Sequence, residues 1–154
     1  MNTYERLVDL EPMVGQSIGI SDWIPVEQAR IQQFADATGD HQWIHLDVER
    51  AKAGPFKTTV AHGLLTLSLL PAMIESAYKV ADVTTVVNYG LNRVRFTAPV
   101  PAGSRLRGSM KLAGFEPIAG GAQLLVEVTV EREGSPKPVC VAAVLRRKFT
   151  QAAS

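Results

Sequence analysis

The chain has 154 residues, 46% of them hydrophobic and 20% charged, with a formal net charge of +1. A chain of this length can bury one full core without metal or disulfide staples. Its near-neutral balance excludes the basic excess of a nucleic-acid-binding surface, and its single cysteine, Cys140, excludes an internal disulfide and a cysteine-built zinc site.

Taken in chain order, Met1 to Gln16 carries Glu5, Asp9 and Glu11 and no continuous apolar stretch, so it does not read as a secretory signal. Ile18 to Val26 is expected to form a first strand, ended by Pro25. Glu27 to Ala37 reads as a helix, since Ile31, Phe34 and Ala35 share one apolar face. Gly39 is its expected left-handed cap. A loop is expected over Asp40 to Leu46. Asp47 then serves as N-cap of a short helix to about Ala53, stopped by Gly54-Pro55.

Thr59 to Tyr78 is expected to be one long helix, apolar on most sides and therefore buried on most sides, with a kink at Pro71. Its core, Val60 to Ala77, is the longest apolar candidate, but His62, Gly63, Pro71 and Glu75 interrupt it. No run approaches the roughly 18 apolar residues of a membrane span. The second half is strand-like over Val83 to Phe96, Ser104 to Phe115, Gln123 to Arg132 and Pro138 to Thr150. Leu124, Val126, Val128 and Val130 should point one way, and Leu125, Glu127, Thr129 and Glu131 the other. Closely spaced strands favour antiparallel pairing, here as a meander following the helix. Cys140, within an apolar strand, is expected to be a small buried hydrophobe rather than a nucleophile. The layout is α+β, a curved antiparallel sheet around one long helix, in a single domain spanning 1–154. A cytoplasmic protein is expected, with neither nucleic acid nor membrane as partner.

The segment from Phe34 to His45 reads Phe-Ala-Asp-Ala-Thr-Gly-Asp-His-Gln-Trp-Ile-His. Asp40 and His45 stand close together after a helix cap, and a carboxylate with an imidazole can hold and deprotonate a water. Spacing alone leaves the bland alternative open: an Asp after Gly is commonly a turn residue, and a loop His is commonly solvated. The whole segment, however, resembles the signature of MaoC-like (R)-specific enoyl-CoA hydratases. Ala61-His62-Gly63-Leu64 resembles the family's Ala-His-Gly turn. Asn92-Arg93-Val94-Arg95-Phe96 with Pro99 and Gly103 is similar to its strand leading into a Pro-x-x-x-Gly turn. The three motifs occur in the family's order across nearly the whole chain. Gln42-Trp43 departs from the Asn-Pro of many members and matches an Asp-His-Gln-Trp-Ile-His subgroup.

The resemblance implies the hot dog fold, a homodimer with the acyl chain near the subunit interface, and reversible hydration of trans-2-enoyl-CoA to (R)-3-hydroxyacyl-CoA. Asp40 and His45 would activate water, and the Gly63 backbone N–H would stabilise charge on the thioester oxygen. The alternative for Gly63 is a packing glycine. Gln42, Trp43 and His62 would line the substrate site, His62 with a mainly structural part. Arg93 and Arg95, with Arg105 and Arg107 on a neighbouring strand segment and with Lys57 and Lys111, are candidates for the phosphates of coenzyme A. No cofactor and no metal are expected, because coenzyme A belongs to the substrate. Alternatives are a 3-hydroxyacyl dehydratase acting on acyl carrier protein, an acyl-CoA thioesterase, and a non-catalytic acyl-thioester-binding subunit.

Overall fold

The computed structural model describes residues 1–150. Its strands are β1 (Asn2–Tyr4), β2 (Ser17–Ile20), β3 (Ile24–Val26), β4 (Tyr78–Val80), β5 (Val83–Arg95), β6 (Ser104–Ile118), β7 (Gly121–Arg132) and β8 (Pro138–Thr150). Its α-helices are α1 (Gln28–Thr38), α2 (Trp43–Leu46), α3 (Val48–Lys52), α4 (Gly63–Ser68) and α5 (Leu70–Ala77). A 3-10 helix over Leu7–Met13 and the parallel pair β1–β4 fall where no element was expected. The main sheet runs β2-β6-β7-β8-β5, with β3 also paired to β6, and its neighbours are antiparallel. No helix among the described residues is long and apolar enough to cross a membrane.

Alternation decides which face of the sheet is buried. Leu124, Val126, Val128 and Val130 are buried on β7, whereas Glu127 and Thr129 between them are exposed. Leu106, Met110 and Leu112 of β6 and Ala142 and Val144 of β8 continue the same inner surface. Leu70, Met73, Ile74 and Ala77 of α5 fill the hollow of this curved sheet. Each large apolar side chain buried there contributes about 1.5–3 kcal/mol. Cys140 is buried among them, as expected, and burial pushes its thiol up to about 11. The result is the hot dog arrangement: a curved sheet wrapped around a central helix.

Four expectations are corrected. The first strand is divided at Ser21–Trp23 into β2 and β3, although both halves pair with β6. The segment Asp40 to Leu46 is not all loop, because α2 occupies Trp43–Leu46. The central helix starts at Gly63, not Thr59. Residues 59–62 are held extended, with Ala61 N–H donating to Val100 O at 2.8 Å and Ala102 N–H to Thr59 O at 3.0 Å. The helix is also interrupted at Leu69, two residues before Pro71, which has no N–H to continue the ladder. Finally, the meander comprises only β6, β7 and β8. β5 lies at the far edge against β8, so residues 96–103 cross the N-terminal end of the central helix to reach β6.

Helix α1 ends as anticipated. Gly39 takes φ 83° and its N–H donates to Ala35 O at 2.8 Å, a conformation glycine adopts cheaply. Asp47 caps α3 through its carboxylate, which accepts from Arg50 N–H at 3.0 Å.

Candidate active site

Three segments converge at the start of α4: the turn after α1, the short helix α2, and the crossover 96–103. Ligand-capable atoms of Asp40, His45 and His62 all lie within 4.8 Å of one another. His45 and His62 are buried, and Asp40 is exposed at the rim.

Backbone partners set the tautomer of each ring. His45 Nδ1 lies 2.6 Å from Val60 O. A carbonyl can only accept, so Nδ1 carries the proton and Nε2 of the neutral ring keeps a free lone pair. His62 Nε2 lies 3.0 Å from the backbone carbonyl of Asp40 and donates to it by the same logic. The ring of His62 stacks on His45 at 3.7 Å between centroids, 22° apart, and also meets Phe34 at 4.9 Å, tilted by 57°. His62 thus packs on both Phe34 and His45 and tethers the Asp40 turn. A ring nitrogen's lone pair lies in the plane of its ring, so these nearly parallel stacked rings aim theirs alongside one another rather than at one shared point. The trio therefore suits proton handling rather than chelation.

A second clamp acts from α1. Gln28 Nε2 donates to His45 O at 2.8 Å, while Gln28 Oε1 accepts from the Thr59 hydroxyl at 2.6 Å. One amide therefore ties α2, which carries His45, to the strand-like segment whose Val60 carbonyl holds the ring. The sequence carried no signal for Gln28, a polar residue in the first turn of a helix.

His45 faces a cavity of about 400 Å³ that also includes Val60, Gly63, Thr66, Phe96 and Val139 in its walls. Gly63 opens α4, where the first N–H groups have no intrahelical partner. A Cβ there would lie 2.8 Å from the Phe96 ring, so close packing by Phe96 also requires glycine. Phe96 and Phe56 are half-exposed at the rim. Phe96 lies in the motif before Pro99 without any sign of a place in the site, and Thr66 and Val139 carry no signal in the sequence because only tertiary packing brings them there.

The remaining expected site residues are dispersed. Gln42 precedes α2, and its backbone N–H, not its side chain, meets Asp40, at 3.3 Å from Oδ1. Trp43 turns toward α3, with the Arg50 guanidinium 4.1 Å over its ring and Gly54 against it, and is not among the cavity walls. His62 is likewise behind His45 rather than on the cavity surface. Arg93 and Arg95 flank the inward-packed Val94 on β5 and are exposed; Arg93 borders a different groove with Glu127 and Thr129. Arg105 and Arg107 do not join them, because β7 and β8 separate β6 from β5. Both stack over Trp23 and pair with Glu133 and Glu131 respectively. The four arginines are therefore no single basic cluster. Lys111, paired across the sheet with Glu127, is equally remote, while Lys57 directly follows the rim residue Phe56.

A model of the MaoC-like domain family matches residues 9–134. The 3-hydroxyacyl-thioester dehydratase Z of Mycobacterium tuberculosis is 53% identical over 148 residues, which cover 96% of this chain and 98% of that protein. Nodulation protein N of Rhizobium leguminosarum is 50% identical over 141 residues, 88% of this chain and 86% of that one. Among solved structures, an R-hydratase from Pseudomonas aeruginosa superposes with a TM-score of 0.73 at 24% identity, over 90% of this chain and 83% of the other, a likeness of fold.

Proposed function

The chain belongs to the MaoC-like dehydratase family and is a hydro-lyase, and from that premise we propose that it catalyses the (R)-specific, reversible hydration of trans-2-enoyl-CoA to (R)-3-hydroxyacyl-CoA. The observation that carries this reading is the convergence of the exposed Asp40 on His45, which shares the wall of one cavity with the backbone of Gly63. Likeness to a protein named for dehydration of 3-hydroxyacyl thioesters supports the same chemistry run in reverse.

A trans-2-enoyl thioester is electrophilic at C3. Water supplies both the hydroxyl that bonds C3 and the proton that ends on C2, so the atoms balance without a cofactor. The free lone pair of His45 Nε2 and the Asp40 carboxylate hold that water, and the proton it loses passes through the pair to C2. General acid–base catalysis of this kind contributes about 10²–10⁴-fold. Negative charge gathers meanwhile on the thioester oxygen. The N–H of Gly63, at the positive end of the central helix, faces it; such a donor is worth about 10²–10³ in rate. Lys57 and Arg95, next to Phe56 and Phe96, are the basic residues adjoining the rim and the candidates for the phosphates of coenzyme A. The acyl chain would extend along Leu67, Ile74, Leu91 and Val144, which border an apolar groove of about 220 Å³ between the central helix and β5. The proposed assembly is a homodimer joined through the free edge of β5.

The test is hydration of crotonyl-CoA by the wild type and Asp40→Asn, followed by loss of enoyl-thioester absorbance, with product handedness read by an (R)-specific dehydrogenase. Rapid formation of the (R)-alcohol, reduced about 10²–10⁴-fold in the variant, is expected. A folded protein that binds acyl-CoA yet hydrates no chain length would transfer the assignment to a non-catalytic subunit or to a carrier-protein substrate.

A further inference from the structure

At the far end of the central helix from His45, two cations of one strand are buried with little counter-charge. Arg146 and Lys148 stand two residues apart on the inner face of β8 and are 3% and 4% exposed. Such side chains are almost never fully buried unless paired. Among the described residues only Glu75 of α5 answers them, 3.2 Å from Arg146 Nη2, and its side chain is 62% exposed, where high dielectric weakens the attraction. Lys148 has no carboxylate partner there; its ammonium lies 4.8 Å over the ring of Tyr78. Arg146 Nε and Nη1 and the Tyr78 hydroxyl are shielded from solvent and make no hydrogen bond, a costly condition for buried polar groups. Burial, with Arg146 adding repulsion, pushes Lys148 down to about 8. Beside these groups opens a cleft of about 240 Å³ with Lys148, Tyr78, Glu75, Lys79 and Thr84 in its walls.

We propose that this cleft is an anion site that takes a phosphate group, met by the Lys148 ammonium and the Tyr78 hydroxyl with the charge of Arg146 behind them. The donors come from two different strands, β4 and β8, which suits a tetrahedral oxyanion better than the planar fork a carboxylate prefers. With Glu75 set against Arg146, the buried pair keeps a net positive charge for an anion to answer. The site is separate from the catalytic cavity of the same chain. Nine residue steps along β8 separate Val139, in that cavity, from Lys148, roughly 30 Å at ~3.3 Å per residue. The phosphate is either free in solution or carried on a second phosphorylated ligand, such as a further molecule of the coenzyme, distinct from the one whose phosphates Lys57 and Arg95 would meet.

Full-length protein titrated with inorganic phosphate against chloride of equal ionic strength, by calorimetry and by melting temperature, tests this independently of the proposed reaction. Saturable binding and stabilisation are expected, weakened at least about tenfold in Lys148→Met and in Tyr78→Phe, as loss of a hydrogen bond to a charged group implies. Lys148→Met removes a buried charge and Tyr78→Phe a single oxygen, so both variants should fold. No saturable binding, or equal binding by wild type and variants, overturns the site. Competition then identifies the source. Displacement of phosphate by crotonyl-CoA, but not by crotonyl-pantetheine, assigns the site to the coenzyme's phosphates, and displacement by neither assigns it to free phosphate. Displacement by both would put the phosphate in the catalytic cavity and end the proposal.

Discussion

At the scale of single residues, the site is governed by backbone carbonyls more than by charges. Val60 O fixes the tautomer of His45, Asp40 O holds His62, and His45 O is itself held by Gln28. None of these contacts is visible in a motif, because each joins segments separated by 15 to 22 residues. Gly63 illustrates two demands on one position. Its N–H is the proposed oxyanion donor, and its missing Cβ makes room for Phe96. Alanine keeps the N–H but would force the ring across the cavity, an overpacking that costs about 1–3 kcal/mol. Gly63→Ala is therefore expected to lower both melting temperature and kcat/KM, the latter at least about fivefold by that energy. Phe96→Ala on the same background should restore much of both. A double variant as impaired as Gly63→Ala would show that the Cβ obstructs the thioester itself.

At the scale of elements, the apolar pattern of Thr59 to Tyr78 announced a buried helix but not its limits. Val60 and Ala61 are as apolar as the helix that follows, yet they pair with the crossover instead. Tyr78 likewise leaves the helix to open β4. The end of α5 also carries a pH dependence. Lys148 is lowered to about 8 by burial first and by Arg146 second, opposed by Glu75; Tyr78 and Lys79 complete its charged and titratable surroundings. Below that value Lys148 is protonated in both states, and the folded state bears the full desolvation cost. As pH rises through it, the folded state gives up the proton while the unfolded state keeps it, so stability increases with pH. Tyr78, raised by burial, keeps its proton over this range. Denaturation in chloride buffers between pH 7 and 9 should show this rise in the wild type and a smaller one in Lys148→Met. Parallel curves would remove Lys148 as the cause.

For the whole molecule, the open edge of the sheet is the outstanding question. Among the described residues β5 pairs only with β8 and leaves its other edge free, with Val87, Tyr89 and Leu91 exposed. A long edge strand of this kind is a template for pairing with another chain. The apolar groove proposed for the acyl chain reaches this strand through Gly90 and Leu91, so a dimer made here would close the groove. Light scattering should find a dimer for the wild type and a monomer for Leu91→Lys, in which a charge faces the partner strand. A monomeric wild type would contradict the assembly and leave the acyl groove open to water.

Local pattern determined much of this protein from sequence alone. The alternation of β7, the cap at Gly39, the cap at Asp47 and the buried helix near Leu65 to Ala77 each depend on residues close together in the chain, so each was legible. The placement of Asp40 and His45 near one another was legible for the same reason, since one turn holds both. Strand order was not, because β5 reaches β8 rather than β6 only after the helix has been wrapped. That choice sends residues 96–103 across the start of α4 and so makes a cavity wall of Phe96. It also parts Arg93 and Arg95 from Arg105 and Arg107 by two strands, and it gathers Arg146, Lys148, Tyr78 and Glu75 at the other end of the helix. Sequence sets which residues each element buries; only packing between distant elements decides which side chains meet.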